Sequence, residues 1–147
     1  MSRPLKFSVH SVSQTPARTE VSTRGFRLIV DEPEALGGTN QAPNPVEYVL
    51  AGYAGCLNVV AHLVAKELQL ELPDLQINIE GELNPDRLLG KSFSDRAGYR
   101  SIHVELKTSK PLDEKLKEKL IKEIENRCPV YDNLSNPTPV KFLLNQN

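Results

Sequence analysis

Two kinds of hydrophobic spacing divide this chain. Near the N-terminus apolar and polar residues alternate: KFSVHSV and EVSTRGFRLIV both repeat with a period of two, and Phe26, Leu28 and Val30 share one face of the second stretch. That period predicts half-buried strands, because successive side chains on a strand point to opposite faces. Thr15-Pro16 marks a break between the two, and DEPEALGGTNQAPNP, dense in Gly, Pro and Asn, predicts a loop. At Asn44 the pattern changes to NPVEYVLAGYAGCLNVV, an apolar helix opened by its own cap. Asn44 suits the N-cap, Pro45 the first helical position, and Glu47 the third position of a capping box. This helix is expected to run to about Leu70, with Pro73 closing the segment. LQINIEGEL and YRSIHVELKTS alternate again and predict strands. LDEKLKEKLIKEIENRC predicts an amphipathic helix ended by Pro129, and TPVKFLL a last strand. The order β-β-α-β-β-α-β, with strands grouped in hairpins, predicts an α+β fold.

Composition narrows the function classes. A chain of 147 residues is expected to form one domain with a sizeable core. With 39% apolar and 25% charged residues and a formal net charge of −1, the sequence offers no polycationic surface for nucleic acid. MSRPLKFSVHS lacks the long apolar core of a signal peptide, so a cytoplasmic address and reduced thiols are expected. The stretch Tyr48–Ala65 carries no formal charge and approaches the length of a bilayer span. Gly52, Gly55, Asn58 and His62 interrupt it, and no Lys or Arg cluster flanks it, so it reads as a buried core helix rather than a membrane segment. His10, His62 and His103 fall on three separate elements without a zinc-ligand spacing, and no metal site is expected. RAGYR, at 96–100, lacks a glycine cradle for phosphate and reads as a loop. The lysines of KLKEKLIKE are balanced by glutamates and read as a solvated face.

The chemistry rests on two cysteines. On a helix, residues three, four and seven apart share a face. Around Cys56 these are Val49, Gly52, Tyr53, Val59, Val60 and Leu63, an apolar stripe directed inward. Cys128 lies four residues after Ile124 and eight after Leu120, and extends the apolar stripe of the second helix. Two unrelated packing cysteines would satisfy the same pattern, since free cysteine behaves as a small hydrophobe. There is no C-x-x-C motif. Apolar surroundings raise a thiol's pKa, and the C-terminal end of a helix disfavours a thiolate at Cys128. A reactive thiolate at Cys56 needs a cation from outside its helix, which offers none before Lys66.

DEP…LGG…NPVEYVLAGYAGCLNVV, followed by RCPVYDNL, resembles the OsmC/Ohr family, the osmotically inducible and organic hydroperoxide resistance proteins. The resemblance runs from the first hairpin to the last strand. It implies an OsmC-like fold with two long central helices packed against antiparallel sheets in an intertwined homodimer. It also implies a thiol-dependent peroxidase acting on organic hydroperoxides, with Cys56 peroxidatic, Cys128 resolving, no bound cofactor, and an external dithiol, typically a dihydrolipoyl group, as reductant. In the hydroperoxide-resistance branch a glutamate two residues after the motif's asparagine pairs with an arginine beside the thiolate. Here that position is Val46, and the acid is Glu47, nine residues before Cys56 and nearly opposite it on the helix. The sequence is therefore closer to the broader OsmC-like branches, and a capping role accounts for Glu47 without catalysis. The family's arginine comes from the N-terminal hairpin region, where Arg18, Arg24 and Arg27 are candidates. Arg24 shares strand parity with Phe26 and Leu28 and is the one chosen. The alternative reading is a non-enzymatic OsmC-like dimer that binds an apolar small molecule and uses its cysteines for packing.

Overall fold

The computed structural model describes residues 3–146. It comprises two compact units, one up to Val49 and one from Leu50 onward. In the first, strands β1 (His10–Thr15), β2 (Arg18–Thr23) and β3 (Phe26–Val30) form an antiparallel meander. The pairing of Thr23 with Phe26 leaves Arg24 and Gly25 as a two-residue turn, and both have positive φ, 49° and 88°. A tight hairpin selects that conformation because its twist matches the twist of the flanking strands. EVSTRGFRLIV is therefore two strands rather than one, and Arg24 sits in the turn between them, not on an apolar strand face. Of KFSVHSV, only the part from His10 joins the sheet.

After β3 the chain turns on Asp31, whose surface is 0% exposed. Its carboxylate accepts hydrogen bonds from the backbone N–H of Glu32 (2.9 Å), Thr39 (3.2 Å) and Gln41 (3.1 Å) and from the Thr39 hydroxyl (2.5 Å). Arg18 Nη1 lies 3.6 Å away. The Thr39 hydroxyl above all, helped by the three amides, holds the Asp31 pKa far below the usual carboxylate range against the opposing effect of burial. Gly38 is needed where this loop folds back, since a Cβ there would lie 1.8 Å from the Glu32 carbonyl oxygen. A 3-10 turn (Glu34–Leu36) completes the loop.

Helix α1 (Pro45–Glu67) starts at the capping box expected from the sequence: Glu47 N–H donates to Asn44 Oδ1 (2.9 Å), and Asn44 N–H donates to a Glu47 carboxylate oxygen (2.8 Å). Such a cap contributes about 1 kcal/mol. Tyr48 Oη donates to the Ile29 carbonyl at 2.7 Å and ties the first turn to β3. The helix ends at Glu67, not Leu70. Gln69 adopts φ 57°, and the bonds from Leu70 N to Ala65 O (2.8 Å) and from Gln69 N to Lys66 O (3.1 Å) close a Schellman motif. Glutamine fills the left-handed position that glycine usually marks, so the sequence carried no visible stop.

In the second unit, β4 (Gln76–Glu82) and β5 (Ser101–Lys107) pair antiparallel, with Ile77 opposite Leu106 and Gly81 opposite Ile102. The loop between them is braced by the Asp95 carboxylate, which accepts from Asn84 Nδ2 (2.7 Å) and pairs with Arg100. Helix α2 (Glu114–Arg127) is capped by Asp113, which accepts from Leu116 N–H at 2.8 Å. The core forms where α1 residues Tyr53, Leu57, Val60, Ala61 and Val64 meet Leu120 and Ile124 of α2, flanked by Ile77, Ile79 and Ile102 of the hairpin. Burial of this kind contributes about 25 cal/mol per Å² of apolar surface removed from water.

Helix α2 ends ahead of Pro129 as expected, and the proline then opens a third helix, α3 (Pro129–Ser135), because a proline at the first helical position has no N–H to forfeit. Two further expectations require correction. TPVKFLL forms no strand: Val140, Leu143 and Leu144 are exposed, and Phe142 is 95% exposed. Helix α1 is not buried all round, since Val49, Val59 and Leu63 remain open to solvent in the single chain although the helix is long and apolar enough to cross a bilayer.

Because the Asp31 pKa is lowered on folding, its stabilisation is complete above the unfolded carboxylate value, roughly pH 4, and is lost as the pH falls further toward the folded value. Urea midpoints of the wild type should exceed those of Asp31→Asn by a constant margin from pH 5 to 8. The margin should shrink below pH 4; a margin unchanged at pH 3 would show that the carboxylate's charge is immaterial.

Candidate active site

Cys56 lies in the middle of α1, half-buried, and Cys128 occupies the junction of α2 and α3 with 1% of its surface exposed. Both are free thiols. Their sulfur atoms are 3.0 Å apart, with Cys128 Sγ–H donating to Cys56 Sγ. Packing, not local sequence, produces this contact: α1 turns its Tyr53–Leu57–Val60 face onto the Leu120–Ile124 face of α2, and the cysteines continue the two faces.

The backbone fixes Cys128 from both sides. As the C-cap of α2 it donates its N–H to Ile124 O (3.0 Å); as the N-cap of α3 its carbonyl accepts from Asp132 N–H (3.0 Å) and its sulfur from Tyr131 N–H (3.4 Å). The sequence reading placed this thiol only at the unfavourable end of a helix dipole; the short α3 adds amide donors that act in the opposite sense. Burial, followed by the hydrogen bond to Cys56, nevertheless prevails and raises the Cys128 pKa, while the Tyr131 and Val130 amides pull it down. Cys128 is therefore held as a thiol, with a proton to donate, and Cys56 is the more accessible of the two.

Tyr53 is a member of the site that sequence reasoning treated only as packing. It lies one turn before Cys56, is buried, and has its phenol pKa pushed up to about 12, chiefly by burial and then by Cys128, Tyr131, Glu125 and Cys56. Its spacing of three residues from Cys56 was the available signal. Among the described residues no three His, Cys, Asp or Glu side chains converge in a metal-binding cluster.

The remaining candidates make their contacts in the first unit. Arg24 stacks its guanidinium over the Phe26 ring, 5.4 Å from the centroid. Arg18 donates to Gln14 Oε1 (2.9 Å), Thr39 Oγ1 (3.4 Å) and Gln41 Oε1 (3.2 Å) beside Asp31. Arg27 is exposed, 3.9 Å from Glu20. Glu47 is engaged in the cap of α1.

The sequence matches the family model for OsmC-like protein over residues 38–142, and the chain belongs to that family. No curated protein sequence matches it. The OsmC-like protein of Mycoplasma pneumoniae is similar in fold, with a TM-score of 0.78 at 20% identity over 92% of this chain and 91% of that one. An organic hydroperoxide resistance protein OsmC from Legionella pneumophila superposes with a TM-score of 0.66 at 21% identity, covering 90% of this chain and 91% of that one. One from Elizabethkingia anophelis gives 0.66 at 20% identity, covering 93% and 92%.

The raised Cys128 pKa has a direct chemical readout. In Cys56→Ser the hydrogen bond is altered but burial, the larger cause, remains, so iodoacetamide alkylation of Cys128 should be slow at pH 7 and still climbing at pH 9. A rate that levels off by pH 8 would show an ordinary or depressed thiol.

Proposed function

We propose that this protein is a two-cysteine peroxidase that reduces organic hydroperoxides, with hydrogen peroxide a poorer substrate. The observation that carries the reading is the 3.0 Å contact between a half-buried Cys56 and a fully buried Cys128. Cys56, having given up its proton, attacks the distal oxygen of ROOH as thiolate; the O–O bond breaks, that oxygen stays on sulfur with its hydrogen as a sulfenic acid, and the alkoxide takes up the proton Cys56 released and leaves as ROH. The Cys128 sulfur then attacks the Cys56 sulfur, water departs, and a disulfide forms. An external dithiol, of which a dihydrolipoyl group is the expected type, reduces that disulfide by two exchange steps and is itself oxidised. Cys56 packs against the apolar core, which favours organic over inorganic peroxide. The similarity to proteins named for organic hydroperoxide resistance supports the same substrate class.

The thiolate's cation comes, in this reading, from the N-terminal hairpins. Arg18 already directs its N–H groups to Gln14, Thr39, Gln41 and Asp31, whereas Arg24 is held over one ring face. Arg24 is therefore the proposed partner, and Glu47 is assigned to the cap. The working form is a cytoplasmic homodimer. Its support is the large apolar surface left open in one chain: Leu5 and Phe7 at one end, Val59 and Leu63 on α1, and Phe142 and Leu144 at the other end.

A cavity of about 490 Å³ favours a second reading, that of a binder for apolar small molecules. It is lined by Leu72, Leu75, Leu106, Leu112, Leu120 and Ile121 together with Lys107, Thr108, Lys110 and Lys117, and neither cysteine is among its walls. The peroxidase reading ranks first because a binder has no use for contacting thiols.

Stopped-flow oxidation of the reduced protein by cumene hydroperoxide separates the readings. The wild type should react far faster than a free thiol and form one intramolecular disulfide, Cys56→Ser should be inert, and Cys128→Ser should stop at a sulfenic acid trapped by dimedone. Three equal, slow rates would leave the cysteines as packing residues. Removal of residues 138–147 should convert a dimer to monomer in sedimentation equilibrium; a truncated chain that still sediments as a dimer would exclude that segment from the interface.

A further inference from the structure

One polar link joins the helix that carries Cys56 to the residue next to Cys128. Arg127 Nη1 and Nη2 donate to the two carboxylate oxygens of Glu67 at 2.6 and 3.0 Å, a bidentate pair. Glu67 is the last residue of α1 and Arg127 the last of α2. Eleven residues separate Cys56 from Glu67, which on an α-helix is about 16 Å of rise and within roughly 20° of three complete turns. Glu67 and Cys56 thus lie on one line along α1, and two consecutive residues of the facing chain, Arg127 and Cys128, reach its two ends. Contact at two points fixes both the position of the α2 terminus along α1 and its rotation; the sulfur contact alone fixes neither. The fork-to-fork geometry of arginine and carboxylate restricts orientation in a way that a single lysine contact does not.

We propose that Glu67 and Arg127 are positioning residues that hold the Cys128 sulfur in register for disulfide closure with Cys56. The inference rests on the peroxidase reading for its physiological meaning, although the register itself does not depend on the oxidant. In closure, the Cys56 sulfenic acid and the Cys128 thiol form one S–S bond and release water. Sulfurs already 3.0 Å apart need to move only about 1 Å to reach the bonded distance of about 2.05 Å. The pair therefore persists through the step and limits the range of misaligned positions sampled beforehand. The side chains are 60% (Glu67) and 35% (Arg127) exposed, so the pair acts on register and not as a buried determinant of folding.

The test follows the two chemical steps separately in Glu67→Gln, Arg127→Gln and the charge-swapped double variant Glu67→Arg/Arg127→Glu. With cumene hydroperoxide, Cys56 oxidation should proceed at the wild-type rate in each single variant. Closure, read as disulfide against dimedone-trapped sulfenic acid by mass spectrometry, should slow about fivefold, the upper range for an exposed ion pair. The charge-swapped variant should recover most of that loss. Diamide-driven closure of the reduced protein, which requires no peroxidase activity, should show the same order. Closure at the wild-type rate in both single variants with both oxidants would overturn the proposal. Slow peroxide oxidation of the wild type together with a diamide defect in the variants would refute the peroxidase reading while sustaining the register.

Discussion

A sulfur–sulfur contact of 3.0 Å between residues 72 positions apart in sequence makes demands on every element of the second unit. Helix α1 must present Cys56 on its packed face, and α2 must run its leucine and isoleucine stripe along that face. The chain must also change direction within one residue so that Cys128 ends one helix and begins the next. The φ/ψ of Cys128, −81° and 111°, breaks the helix there. Pro129 tolerates the restart because its missing N–H belongs to the set that a helix N-terminus leaves unsatisfied in any case. Shielding Cys128 more completely than Cys56 follows from that geometry. The same burial raises the pKa of Cys128.

The first unit follows a different physical logic. Its organising group is a buried carboxylate held by charge-assisted hydrogen bonds. Asp31 gathers three backbone amides, a hydroxyl and a guanidinium, and so converts a loop rich in glycine, proline and asparagine into a fixed connection between β3 and α1. Arg18 is part of that connection. Such an arrangement pairs both carboxylate oxygens of Asp31, which is what allows an acid to sit at 0% exposure.

A large apolar surface is also left open. The outer residues of α1, the strand-like stretch after α3 and the aromatic residues at both ends of the described chain lie open to water. Exposed apolar residues on this scale are characteristic of surfaces meant to be covered. The segment TPVKFLL has the alternation of a strand, but an edge to pair with is a property of the fold and not of the segment, and among the described residues it pairs with no strand.

The sequence by itself determined the α+β class, the capping box at Asn44 and Glu47, the alternation of β4, and the inward direction of both thiols. Each depends on residues within a few positions of one another, where periodicity and local hydrogen bonding act directly. The family motifs added the pairing of Cys56 with Cys128, which periodicity left open. Tertiary structure decided the rest. It placed Arg24 in a turn because the register of β2 with β3 left two residues between them, and it ended α1 at a glutamine in the left-handed conformation. It also restarted a helix at the proline that stops α2, and it brought Tyr53 beside Cys128 and Arg127 onto Glu67. These outcomes depend on which distant surfaces meet, and a pattern of period two or 3.6 carries no record of its partner.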